Sequence, residues 1–149
     1  AGLHDGVIDI IATDHAPHLL ADKEKPYPRS PSGMPGVETS LPLMMTAMRD
    51  GKCTLTQILR WMCSGPAELY KIPNKGRLVE GYDADLALVD IEESKEVRDK
   101  EVFSRTGWSP FSGRVLSGWP THTIVGGRVV FEKGVIRPGV FGEPLSFGS

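Results

Sequence analysis

Asp14, His15 and His18 crowd into the six residues Thr13-Asp14-His15-Ala16-Pro17-His18, the densest chemistry in the chain. An aspartate can bind a metal through oxygen, or take a proton from water and hand it on. An imidazole four residues later can contact a metal or a substrate. That spacing would put Asp14 and His18 on one helix face. Pro17 rules this out, because it pushes Ala16 away from helical dihedrals. The segment therefore predicts a turn, with Asp14 facing a site and His15 turned away from it by strand alternation. On these residues alone, a hydrogen-bonded turn is the commoner use of an Asp-His pair, and the motif does not decide.

The elements around the cluster indicate how it is positioned. Val7-Ile8-Asp9-Ile10-Ile11-Ala12 is short, apolar and β-branched, which fits a buried parallel strand. Residues at the end of such a strand are where α/β barrels place catalytic groups. Residues 19–36, with Pro26, Pro28, Pro31 and Pro35, predict a long functional loop. Leu41, Met44, Met45 and Met48 repeat at helical spacing, with Pro42 in the first turn and Gly51 as the stop. Thr54 and Gln57 form a capping box for a second helix, and Leu55, Ile58, Leu59 and Met62 line one face of it. Gly65-Pro66 is expected to end it, with one more turn over residues 66–70.

From Lys75 the pattern turns to β. Residues 85–90 predict a strand. Thr121 to Phe131 predicts a hairpin closed by Gly126-Gly127, a pair suited to the positive φ of a type I′ turn. The charged run 91–101 reads as a solvated helix or turn, and the tail from Gly134 as an irregular arm. Trp61 is expected to pack, and Trp108 and Trp119 to pin the arm to a surface. His4 and His122 read as surface or packing residues. The organisation is thus two unequal parts, residues 1–72 and residues 73–149.

The 149 residues are 40% apolar and 24% charged, with a formal net charge of -2, which fits a folded globular chain. No basic run points to nucleic acid, and no apolar stretch is long enough for a bilayer. Two cysteines are too few for a disulfide framework and read as small buried residues in a reducing cytosol. The opening Ala1-Gly2-Leu3-His4-Asp5-Gly6 resembles the end of a helix, which suggests a piece of something longer.

Several segments together resemble the dihydroorotases of the amidohydrolase superfamily. Ala12-Thr13-Asp14-His15-Ala16-Pro17-His18 is similar to the motif ending their eighth barrel strand, and Gly33-Met34-Pro35-Gly36-Val37-Glu38-Thr39-Ser40-Leu41-Pro42-Leu43 to the segment that follows. Lys75-Gly76-Arg77-Leu78, Gly81-Tyr82-Asp83-Ala84-Asp85-Leu86, Gly107-Trp108-Ser109-Pro110-Phe111-Ser112-Gly113 and Thr123-Ile124-Val125-Gly126-Gly127 resemble the small β domain and C-terminal end. The β-domain motifs also occur in allantoinases and hydantoinases.

The resemblance implies an α/β fold: the C-terminal portion of a metal-dependent hydrolase TIM barrel, its last strand and helices, plus part of a small β-sandwich domain. It implies a zinc enzyme with one or two ions, interconverting N-carbamoyl-L-aspartate and dihydroorotate in the cytoplasm. Asp14 matches the catalytic aspartate that contacts the metal and acts as general base, then general acid. His18 matches the histidine that binds the substrate's carboxylate, and the backbone at Pro35 and Gly36 a second carboxylate contact. His15 matches no such role and is expected to be exposed or hydrogen-bonded.

The family's His-x-His pair, carbamylated lysine and further histidine ligands have no counterpart here. The isolated chain is therefore expected to bind zinc weakly or not at all and to be inactive. A homo-oligomer or a complex with aspartate carbamoyltransferase is the partner expectation. The alternatives are a non-catalytic dihydroorotase-like subunit or another cyclic amidohydrolase such as allantoinase.

Overall fold

The computed structural model describes residues 1–148. Helices α1 (Leu20–Lys23), α2 (Ser40–Arg49), α3 (Leu55–Leu59) and α4 (Gly65–Leu69) precede strands β1 (Leu86–Glu96), β2 (Val115–Val125), β3 (Arg128–Glu132) and β4 (Val135–Ile136). The strands form one antiparallel sheet in the order β1-β2-β3-β4. The structure is thus a small α/β unit. Among the described residues there is neither a parallel ladder nor a second sheet, so the barrel and sandwich expectations are met only in part.

Local signals set the helices. Thr54 caps α3: its hydroxyl accepts from the Gln57 amide, and the Gln57 side chain accepts from the Thr54 amide. Pro42 sits in the first turn of α2, where its missing N–H costs no intrahelical bond. At the other end Gly51, at φ 72°, donates to the Met48 carbonyl.

Gly65-Pro66 does not end the helix, contrary to expectation. A π turn, Arg60–Ser64, joins α3 to α4. A proline inside a helix lacks one donor and crowds the carbonyl a turn back. The wider turn just before Pro66 shifts the register and accommodates it. Gly65 donates to Arg60 across this turn, and a Cβ at Gly65 would overlap the Arg60 carbonyl oxygen. The Trp61 carbonyl, released from its usual partner, accepts instead from Ile11 N at 3.0 Å.

That bond anchors the segment expected to be a buried strand, and the expectation needs correction. Residues 7–12 form no ladder: the chain bends at Val7, which is 79% exposed, and the rest has no regular structure. β-branched residues favour extension, but a strand needs a neighbour, and no described strand runs beside this one.

The charged run is also corrected. Residues 91–96 belong to β1, and residues 99–101 form one 3-10 turn. The ladder skips from Asp90 to Ser94, and the Asp90 carboxylate accepts from the amides of Glu92 and Glu93. Glu92 and Glu93 therefore sit in a solvated bulge within a strand. The hairpin is as expected: Val125 pairs with Arg128, and Gly126 and Gly127 have φ of 54° and 77°.

The core joins Met45, Cys53, Ile58 and Trp61, with Leu41, Met48 and Val89 packed against it. Cys53 is buried but Cys63 is exposed, which corrects the expectation for the second thiol. His4 meets the Trp61 ring edge-on at 5.4 Å. Trp119 lies inside β2 and donates to the Leu116 carbonyl, with Lys95 over its ring, so it pins the sheet rather than the arm.

Contacts between α2 and β2 cross the boundary between the two parts. Ser117 N donates to Thr46 Oγ1 at 2.9 Å, and Arg49 bonds both Ser94 and Ser117.

One polar node fixes the hairpin. Lys75 pairs with Asp83 at 2.9 Å and with Asp85, whose second oxygen accepts from Gly126 N at 2.7 Å. The Lys75 ammonium, then the Gly126 amide, hold the Asp85 carboxyl below its ordinary value. The same pair, Asp85 first and then Asp83, raises Lys75. A depressed carboxyl stabilises the fold fully above its unfolded value of ~3.9 and loses that contribution as pH falls through the folded value. The raised lysine contributes up to its unfolded value of ~10.4 and loses that contribution only above it. Asp85→Ala is expected to cost about 1–2 kcal/mol at pH 7. Thermal melts should show the gap to wild type narrowing at pH 3.

Candidate functional site

The candidate site grows from the turn that follows residues 7–12. With Ile11 tied to the π turn, the chain reaches Asp14 in a left-handed conformation, φ 44°. Aspartate tolerates this region better than most residues. Asp14 is exposed, and among the described residues no hydrogen bond engages its carboxylate.

The next residues dock on the loop that returns past them. His15 bridges Met34 in parallel fashion, and Ala16 N donates to the Met34 carbonyl at 3.2 Å. Gly33 has φ 91°, and a Cβ there would lie 2.8 Å from the Ala16 carbonyl oxygen, so only glycine permits this approach. His15 Nδ1 accepts from Gly36 N at 3.1 Å and from Val37 N at 3.4 Å. An amide can only donate, so Nδ1 is the unprotonated ring nitrogen.

Residues 19–36 are not a featureless loop, since α1 lies within them. Lys23 Nζ donates to the carbonyls of Pro31 at 2.6 Å and Gly33 at 3.0 Å, while Ser30 bonds back to the Lys23 carbonyl. One lysine therefore closes the loop from inside and sets where Gly33 begins.

The β region reaches over to the same place. The Glu38 carboxylate accepts from Phe103 N at 2.8 Å and Ser104 N at 2.7 Å. Trp108 Nε1 donates to the His18 carbonyl at 2.8 Å. Trp108 thus pins the loop before β2 to the His18 backbone, instead of holding the C-terminal arm. A small cleft lies between these groups, lined by His15, Pro35, Gly36, Glu38 and Trp108. A larger cleft, about 520 Å³, lies between the hairpin and the tail beside Lys75, Asp85 and Arg128, and shares none of these residues.

Of the residues singled out from the sequence, Pro35 is buried and Gly36 is bonded to His15. His18 is held through its backbone, and no hydrogen bond joins its ring to Asp14 among the described residues. His15, Glu38 and Trp108 organise the site and were not assigned to it from sequence. Their signal was present: each lies inside a segment quoted for the family resemblance, and Glu38 is the lone carboxylate of residues 33–43.

Metal chemistry needs more than Asp14 supplies. A zinc site takes three or four ligands. Among the described residues no group of three or more His, Cys, Asp or Glu side chains converges closely enough to hold an ion. Among the described residues no helix is long and apolar enough to cross a membrane.

Comparison with known proteins supplies the wider frame. Residues 1–130 match the amidohydrolase family. The chain is 45% identical over 135 residues to a dihydroorotase of Bacillus caldolyticus, covering 89% of this chain and 31% of that protein. It is 41% identical over 133 residues to a dihydroorotase of Halalkalibacterium halodurans, with the same shares covered. In structure it resembles an L-hydantoinase (dihydropyrimidinase) from Arthrobacter aurescens, with a TM-score of 0.85 and 38% identity over 91% of this chain and 31% of that one. The chain thus spans about a third of the length of the proteins it matches. With the family matched across most of its residues and dihydroorotases among its relatives, this chain belongs to the amidohydrolase family.

Proposed function

We propose that the protein carrying this chain is a cyclic amide hydrolase of dihydroorotase type, interconverting N-carbamoyl-L-aspartate and dihydroorotate. The observation that carries the reading is Asp14: a carboxylate held out on a left-handed turn, with no described partner consuming its oxygens. A structural aspartate would be expected to cap an amide or pair with a cation, as Asp85 and Asp99 do.

Opening a cyclic amide requires a water stripped of its proton and a leaving nitrogen that receives one. A single carboxylate beside the scissile bond can do both in turn. Asp14 takes that role in this reading. Zinc is the cofactor the reading implies, and Asp14 is the one oxygen ligand these residues would contribute to it.

The substrate's carboxylate needs donors. His18 is assigned to it, supported by Trp108 behind its backbone. The turn at Pro35 and Gly36 is the second contact.

The hydantoinase likeness favours a second reading, in which the ring carries no carboxylate. His18 separates the two. A charge-assisted hydrogen bond is worth about 1.5–3 kcal/mol, or about 10- to 150-fold in affinity. His18→Ala in the full-length protein should raise KM for dihydroorotate by that factor and leave any hydrolysis of hydantoin or dihydrouracil unchanged. Wild-type protein that opens hydantoin and ignores dihydroorotate would replace the first reading with the second.

A further inference from the structure

We infer that His15 is a positioning residue, which holds the Pro35–Val37 turn at a set distance from Asp14 by accepting two successive backbone amides. The inference deepens the function proposed above and rests on it for the identity of the group that the turn contacts.

The turn has its carbonyls and its amides restrained by different means. Thr39 Oγ1 bonds the Gly36 carbonyl, and Ser40 Oγ bonds the Val37 carbonyl at 3.1 Å. These bonds are local and fix only the shape of the turn. The amides of Gly36 and Val37 both point at His15 Nδ1, 21 and 22 residues earlier. Beside the Ala16–Met34 bond just before it, this is the long-range link made by the turn's own amides. A Cβ at Gly36 would lie 3.4 Å from Thr13 Cβ, so the turn rests against the residue that precedes Asp14.

The consequence is geometric. The proton-handling carboxylate and the substrate-contacting turn sit on different segments. In catalysis their separation sets how the amide bond lies against the carboxylate, and small displacements are costly. His15 follows Asp14 directly, so its ring ties the two segments at the point where tolerance is smallest. The role calls for an acceptor at the Nδ1 position. It calls for no charge and no contact with substrate.

Substitutions can isolate that acceptor. The Oδ1 of asparagine falls near the position of histidine Nδ1, so His15→Asn keeps the bond. His15→Phe keeps a ring and loses the acceptor, and His15→Ala loses both. The measurements, on the full-length protein, are amide hydrogen exchange at Gly36 and Val37 and steady-state kinetics on dihydroorotate. Removing a hydrogen bond worth up to ~1.5 kcal/mol allows about a tenfold effect.

The acceptor-free variants should exchange both amides about tenfold faster and raise KM by about tenfold, with kcat within about threefold of wild type. His15→Asn should restore both readouts. If exchange and KM stay at wild-type values in Phe and Ala alike, or if Asn behaves as badly as they do, His15 has no positioning role. Wild-type protein that opens no cyclic amide overturns the proposed function instead, and the exchange comparison still decides the role of His15.

Discussion

Asp14→Asn in the full-length protein is expected to lower kcat on dihydroorotate about 10³-fold, within the usual span for a general acid–base group, while the melting temperature stays within about 2 °C. The two halves of this expectation come from the same geometry. Asn keeps the shape of Asp and is as much at home at a φ of 44°, so the turn keeps its backbone. The carboxylate is exposed and holds no described hydrogen bond, so no packing or pairing is lost. What disappears is the ability to take a proton and return it. Turnover within tenfold of wild type would remove Asp14 from the chemistry. A large fall in melting temperature would mean the carboxylate is structural, and the kinetic loss would then say nothing about proton transfer.

This test is stronger than any reading of the site from sequence, because the Asp14 motif was legible and its surroundings were not. Signals that act within one turn came through intact: the Thr54–Gln57 cap, Pro42 in the first turn of α2, and the paired glycines of the hairpin. Each depends only on neighbours a few residues away. The failures share the opposite property. Residues 7–12 have the composition of a strand, but pairing is a relation to another strand, and no described strand runs beside them. The π turn depends on Pro66 meeting a helix that has every other reason to continue. The bulge at 91–93 depends on Asp90 capturing two amides across from Gly118.

The site shows the same division. Asp14, His18, Pro35 and Gly36 were legible as a pattern of residue types. The bonds that arrange them run from His15 to residues 36 and 37, from Glu38 to residues 103 and 104, and from Trp108 back to His18. The last two join segments 65 and 90 residues apart. No spacing rule reaches that far, so the contribution of the β region to the site appears only in three dimensions.

That contribution is why Gly118→Ala should be a strongly damaging substitution. Gly118 lies in β2 at φ 75°, buried against α2. A Cβ there would overlap Met45 Cβ and sit 2.7 Å from Met45 Cγ. Leaving the left-handed region, or enduring it, costs about 1–2 kcal/mol, and overpacking adds about 1–3. A total of about 2–5 kcal/mol should lower the melting temperature by roughly 4–20 °C. Trimming Met45 to Ala should not rescue the variant, because the overlap is with the Cβ that alanine retains. Relief requires α2 to move off β2, which stretches the Ser117–Thr46 bond and the Arg49 bridge to Ser94 and Ser117. α2 begins at Ser40, directly after Glu38 and buried Thr39, so the movement would reach the Pro35–Val37 turn. Gly118→Ala should therefore raise KM for dihydroorotate as well as lower stability, although it lies far along the chain from any residue assigned to substrate. A variant that melts with wild type would show that α2 and β2 do not pack this closely. One that melts early with an unchanged KM would show that the sheet supports the helix without setting the site.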